Sequence, residues 1–268
     1  MDGLRTTAAD GVAVLTLDRP GRRNELDAPL LDALRAALAA ADADDAVDVI
    51  VLTGAGEHFC GGLDLGRMAD PQEGAAIAAR VFSDWRAWPP VVKPVIGAIN
   101  GPVERGGLEL ALQCDLLLAS ERATFADTHA ALGIVPALGL TALLARAVGR
   151  GWALRMSLSG EPVTAEQAAR IGLVTEVLPH DELLPATLRL AGTIARNVRP
   201  AVRSVLATYR GAADAGAREA LAFELDGLLA TLQATPQSVV RDVVLDVVRR
   251  RATGADGDAP GGAGAPPP

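Results

Sequence analysis

The stretch that decides the fold begins Lys93-Pro94-Val95-Ile96-Gly97-Ala98-Ile99-Asn100-Gly101. It runs on through Gly106-Gly107-Leu108-Glu109-Leu110-Ala111-Leu112-Gln113 to Cys114-Asp115. Pro94 to Asn100 is short, apolar and rich in branched side chains, the pattern of a buried strand. Gly101 opens a turn, helical periodicity follows from Gly106 to Gln113, and Asp115 to Ser120 returns to strand. Upstream, Val47 to Thr53 is a continuous apolar run, as expected of a strand covered on both faces. It leads into a glycine-rich loop, Gly54 to Gly62, and a helix is expected over Ala75 to Trp88, ending at Pro89-Pro90. Two units of strand, glycine loop and helix therefore stand in tandem, which points to an α/β architecture and away from a bundle or sandwich.

Outward from this centre, Val12 to Leu17 alternates like a strand, and a polar turn over Asp18 to Asn24 follows. Asp27 reads as an N-cap with Pro29 in the first turn. Leu30, Leu31, Leu34 and Leu38 then mark one buried helical face. Beyond Pro136 the chain reads as mostly helical. Thr164 and Gln167 have the spacing of a capping box, Val174 to Leu178 reads as a short strand, and Ala217 to Leu232 as a long amphipathic helix. The reading divides the chain into a core over 1–195, a helical region over 196–251 and a disordered Gly/Ala/Pro tail over 252–268.

Composition sets outer limits. Half of the 268 residues are apolar and 22% are charged, enough to bury a core, but aromatics are only 3%, so Ala, Leu and Val must do most of the packing. A net charge of -8 argues against a nucleic-acid partner, which needs a basic excess to neutralise phosphates. Cys60 and Cys114 suffice for neither a metal-ligand pattern nor a disulfide framework, and are expected as free thiols. The start carries no secretory signal, and no apolar run approaches the roughly 20 residues of a membrane span. The expectation is a soluble, cytoplasmic protein without metal or redox cofactor.

Three loops are candidates for chemistry. Phe59-Cys60-Gly61-Gly62-Leu63-Asp64-Leu65 reads either as a tight strand-to-helix turn or as a loop whose backbone N–H groups approach a ligand. A dinucleotide fingerprint is excluded, because Phe59 stands where its third glycine is needed. Gly106-Gly107 expose N–H groups at a helix start. Glu109, one turn in among apolar neighbours, is a carboxylate whose burial needs a reason. Phe125-Ala126-Asp127-Thr128-His129 holds one of only three histidines; His58 and His180 take structural readings.

Together these segments resemble the enoyl-CoA hydratase/isomerase family, the crotonase superfamily. The resemblance runs from about Val12 to Leu178 and rests on Arg22-Arg23-Asn24, the 59–65 loop, Lys93 to Gly101, and Gly106 to Ala111 followed by Cys114-Asp115. It implies a spiral of ββα units, a helical C-terminal region that drives assembly into trimers or dimers of trimers, and an acyl-coenzyme A substrate. The resemblance places the thioester oxygen between the backbone N–H groups of Leu63 and Gly106, with Glu109 as one acid/base group. Arg22, Arg23 and Leu26, with Gly61, Gly62, Asp64 and Leu65, would lie near the cofactor.

The sequence departs from the family pattern in three places. A second carboxylate is expected four residues after Phe125, and His129 stands there, a group able to relay or donate a proton near neutrality. Hydration of a 2-enoyl-CoA is the leading expectation; isomerisation, thioester hydrolysis or plain acyl-CoA binding are the alternatives. Glu104-Arg105 occupies a stretch that is small in many relatives, and reads as either a pocket contact or a surface pair. The end carries Arg249 to Arg251 in place of the usual family close.

Overall fold

The computed structural model describes residues 3–82 and 87–210. Two strands, β1 (Leu4–Ala9) and β2 (Val12–Leu17), form an antiparallel hairpin through Asp10-Gly11. Helix α1 (Ala28–Ala43) leads to β3 (Val49–Gly54), and the short α2 (Leu65–Met68) and α3 (Pro71–Phe82) precede β4 (Val95–Ile99). The two-residue β5 (Val103–Glu104), α4 (Gly106–Leu112), β6 (Leu116–Ser120) and β7 (Thr124–Ala126) follow. Then come α5 (Leu140–Ser159, broken at Gly149), β8 (Val163–Thr164), α6 (Ala165–Arg170), β9 (Glu176–Leu178) and α7 (His180–Ala195). Residues 199–210 are helical.

Six strands make one sheet in the order β1-β2-β3-β4-β6-β9, parallel from β2 onward; β5, β7 and β8 make a second, smaller sheet. The expectation that the central strands are covered on both faces holds. In β3, Ile50 and Leu52 face a large core with α1, α4 and α5, while Val49 and Val51 face Leu183 and Ala191 of α7. Leu30, Leu31, Leu34 and Leu38 are all buried, Asp27 accepts from the Leu30 N–H, and Thr164 and Gln167 complete their capping box.

Several boundaries differ from the sequence reading. The first strand was not anticipated. Its signal is the Asp10-Gly11 pair, both at positive φ, the chemistry of a tight hairpin turn. Helix α3 starts at Pro71 rather than Ala75, because Asp70 accepts from the Gln72 and Glu73 N–H groups and Pro71 suits the first turn. Ala87 and Trp88 lie outside it in a bend. Strand β3 begins at Val49, two residues late, because the Val47 N–H is taken by Asp44 O. The helix expected over 217–232, the arginines at 249–251 and the tail over 252–268 lie outside the described residues.

Lys93 locks α1 to the sheet. Its side chain is almost wholly buried, and its ammonium donates to the carbonyls of Ala41 (2.7 Å) and Asp44 (2.6 Å) at the end of that helix. Desolvation holds its pKa below the usual lysine value. The carbonyls at a helix end need donors, and a cation suits them. Lys93→Met is expected to cost about 2–3 kcal/mol, because hydrogen bonds from a charged donor are lost. That lowers Tm by roughly 4–12 °C in a domain of this size. A thermal melt of the variant checks it, and an unchanged Tm would contradict the assignment.

Candidate active site

The loop after β3 is folded back on the strand ends by two side chains, Asn24 and Asn100, the latter donating to Gly56 O (2.9 Å) and His58 O (3.2 Å). Asn24 is fully buried in a left-handed turn; its amide donates to Ala55 O (3.0 Å) and His58 O (2.7 Å) and its oxygen accepts from the Arg19 N–H. Next along, the Leu26 N–H donates to Gly62 O (2.8 Å) and the Leu26 carbonyl accepts from the Asp64 N–H (2.9 Å). These two bonds straddle Leu63. On the other side, Gly107 permits a contact that no other residue would: a Cβ there would stand 2.1 Å from Cys60 O.

The result is that Leu63 and Gly106 abut. A Cβ added to Gly106 would meet the Leu63 nitrogen at 3.3 Å, and one added to Gly62 would meet the Gly106 nitrogen at 3.1 Å. Neither the Leu63 N–H nor the Gly106 N–H donates to an acceptor among the described residues. Buried backbone donors are nearly always paired, so two adjacent free ones mark a place for an anionic or strongly polarised oxygen.

Glu109, one turn into the helix that Gly106 opens, faces His129. Glu109, on α4, is 2% exposed, and its Oε1 accepts from the N–H groups of Ala137 (3.1 Å) and Leu138 (2.8 Å). Its Oε2 lies 4.0 Å from Nε2 of His129. Desolvation pushes the Glu109 pKa up, against the opposing pull of His129 and the two amides. His129 is buried, and its Nδ1 lies 2.6 Å from Oδ1 of Asp127, which also accepts from the His129 backbone N–H. Burial alone would raise the Asp127 pKa; the His129 ring and the other donors around the carboxylate outweigh it and hold the pKa below the usual value. An ionised carboxylate only accepts, so Nδ1 carries the hydrogen and Nε2 is the nitrogen that faces Glu109.

The other anticipated residues surround the loop differently. Gly61 and Gly62 form its bend, and Asp64 caps α2 through the Arg67 N–H. Arg22 is exposed and reaches Asp64 at 3.3 Å, while Arg23 pairs with Glu104 at 2.5 Å. The side chains of Leu26 and Leu65 are buried in support of the loop. Cys60 and Cys114 are free thiols. Cys60 donates to Asn24 O, and burial pushes its pKa up to about 12. His58 and His180 do make structural contacts, with Arg23 and Ser120 respectively, and His180 opens α7 rather than lying in a loop. The Glu104-Arg105 pair is no surface pair, since Arg105 is 4% exposed beneath the site. The sequence left Arg105 between a pocket contact and a surface position, and nothing in it marked the Ala137 and Leu138 amides, whose role depends on backbone direction.

The model of the family described as enoyl-CoA hydratase/isomerase matches residues 7–239. The chain belongs to that family. It is 38% identical to the 2,3-dehydroadipyl-CoA hydratase of Escherichia coli over 224 residues, 84% of this chain and 88% of the relative. The crystal structure of an enoyl-CoA hydratase from Mycobacterium smegmatis superposes with a TM-score of 0.79 at 43% identity, covering 88% of this chain and all of that one. Another, from Mycobacterium avium subsp. paratuberculosis, gives 0.81 at 30% identity, covering 91% and 98%. The crotonase-type fold and the enoyl-CoA hydratase/isomerase membership inferred from the motifs are thereby established.

A buried carboxylate with a raised pKa burdens the fold. The native Glu109 holds its proton more tightly than the unfolded chain does, so the group favours the native state at low pH. That contribution is lost as pH rises through the interval from the ordinary glutamate value to the raised one. Glu109→Gln keeps an acceptor for the two amides and carries no charge. Its Tm is expected to exceed that of the unsubstituted protein by about 2–4 °C at pH 7–8, on the order of 1 kcal/mol. The gap should close as pH falls below the usual carboxylate range. Paired melts across pH check this; a variant that is less stable at pH 8 would contradict it.

Proposed function

We propose that the protein is an enoyl-CoA hydratase that adds water across the C2–C3 double bond of a 2-enoyl-CoA. The observation that carries the reading is the meeting of two unpaired backbone N–H groups with two facing acid/base groups, Glu109 and His129. Addition of water to a conjugated thioester needs both parts. Charge develops on the thioester oxygen as an enolate forms, and fixed donors there are worth roughly 3–4 kcal/mol each. A proton must leave the water and another must reach C2.

Oε2 of Glu109 and Nε2 of His129, 4.0 Å apart, can share one water at about 2.8 Å from each. In this reading Glu109 takes a proton from the water as its oxygen bonds to C3. The π electrons move to the thioester oxygen, held by Leu63 and Gly106 N–H, and return to form a bond from C2 to the proton that His129, entering the cycle as imidazolium, carries on Nε2; the ring is left neutral. The proton left on Glu109 passes back to His129 across the short gap, which resets the pair. Asp127 supports the imidazolium form while it lasts.

Arg22 and Arg23, at the mouth of the loop, suit the phosphates of coenzyme A, with Leu26, Gly61, Gly62, Asp64 and Leu65 supporting the backbone they approach. No resident cofactor is part of this chemistry, and the free thiols Cys60 and Cys114 suit a reducing, cytoplasmic setting. Family membership supports a homotrimer or a dimer of trimers.

Loss of the conjugated enoyl-thioester absorbance on mixing with crotonyl-CoA and longer 2-enoyl-CoAs tests the reading. Glu109→Gln is expected to lower kcat by about 10²–10⁴-fold with acyl-CoA binding nearly intact; full activity in that variant would remove Glu109 from the mechanism. Binding without absorbance loss in the unsubstituted protein would set hydration aside for those substrates. Gly106→Ala places a methyl 3.3 Å from the Leu63 nitrogen, in the space left for the oxygen. Turnover in that variant should fall by roughly 10²–10³-fold with the melt little changed.

A further inference from the structure

Arg105 immediately precedes the Gly106 donor and stands at φ +49°, ψ −121°. A residue with a Cβ occupies that region only where its surroundings hold it there. The backbone is held on one side by the Arg105 N–H, which donates to Ala126 O at 3.1 Å. On the other side the Arg105–Gly106 peptide presents an N–H with no described acceptor, beside the nitrogen of Leu63.

The side chain is buried and reaches the loop of Leu63 and the loop of His129. Nη2 donates to Gly61 O at 2.5 Å, two residues before Leu63. Nη1 donates to Thr128 Oγ1 at 3.3 Å, one residue before His129, and to Glu104 Oε2 at 3.2 Å. Glu25 Oε1 lies 3.9 Å from Nη2. Two carboxylates thus balance the buried guanidinium, and both its Nη1 and its Nη2 are bonded to protein groups.

We propose that Arg105 is a positioning residue for the reaction. Its guanidinium ties the loop of the first N–H donor to the loop of His129, and by doing so holds the strained peptide that turns the second donor, Gly106, into the site. Ser, Ala or Lys at this position would retain the strain and lose the fork. Glycine would lose the fork and the strain together, because positive φ is open to it.

That difference separates positioning from mere structural support. In Arg105→Ala the unsupported peptide is free to rotate, withdrawing one oxyanion donor. The expected result is a kcat lower by about 10²–10³-fold with KM within about threefold of the unsubstituted value. Arg105→Gly is expected to recover kcat to within about tenfold, although its melt is no better than that of the alanine variant. Equal losses of kcat in the two variants, or an unimpaired alanine variant, would overturn the proposal. Should Arg105→Ala not fold, Arg105→Lys against Arg105→Gly decides it in the same way, with glycine the more active.

The kinetic arm rests on the hydratase reading, so a second arm uses acetoacetyl-CoA, whose enolate absorbs in the near ultraviolet and needs only the two N–H donors. The enolate band should weaken strongly in the alanine variant and persist in the glycine variant. A band in the unsubstituted protein without hydration of crotonyl-CoA would count against the hydratase reading alone. The order of the variants in that titration would then decide Arg105; alanine binding the enolate as well as glycine does would overturn it.

Discussion

Two backbone N–H groups without acceptors, side by side, are the constraint from which the rest of the structure follows. A chain pairs such donors wherever it can, since each one left open and shielded from water costs free energy. Leaving those of Leu63 and Gly106 open requires that neither loop relax toward the other or toward solvent. Asn24 and the two Leu26 backbone bonds hold the first loop, and the Gly107–Cys60 contact sets the distance between the two. The strands beneath supply the stiffness: β3 and β4 are packed on both faces, so the loops at their ends inherit a fixed origin.

Electrostatics around Glu109 and His129 obey the same rule of deliberate discomfort. Glu109 is nearly inaccessible, and the amides of Ala137 and Leu138 satisfy one oxygen while the other faces His129. The neighbouring Asp127 is held ionised by the ring it orients. Two carboxyls on either side of the His129 ring are thus pushed in opposite directions, one toward keeping its proton and one toward losing it. The divergence gives the two carboxyls different work: Glu109 is a stronger base than an ordinary glutamate, and Asp127 stays charged to orient the ring.

Much of this was legible in the residues. The apolar runs Val47 to Thr53 and Pro94 to Asn100 announced buried strands, the paired glycines allowed a close backbone approach, and Glu109 stood out as a carboxylate on an apolar helix. The first strand escaped because only one of its six residues is buried, so burial left no alternation to read. The start of α3 escaped because capping by Asp70 is a local event outside the apolar periodicity. Arg105 was noticed beside Glu104, but the choice between a pocket contact and a surface pair stayed open. A charged residue reads as surface until the fold shows that Gly61, Thr128 and Glu104 enclose it. Hydrophobic patterning reports which side chains avoid water, whereas the direction of a single peptide plane has no such signature.

The burial of Cys60 has a chemical consequence of its own. This thiol lies one residue from the glycine pair of the first loop and is fully buried. A thiolate there would be a competing nucleophile, able to take the acyl group from coenzyme A and leave the protein acylated. With the Cys60 pKa pushed up to about 12 and its hydrogen directed to Asn24 O, the sulfur stays protonated throughout the physiological range. The same close packing that sets the two amides side by side therefore keeps this sulfur enclosed and in its thiol form.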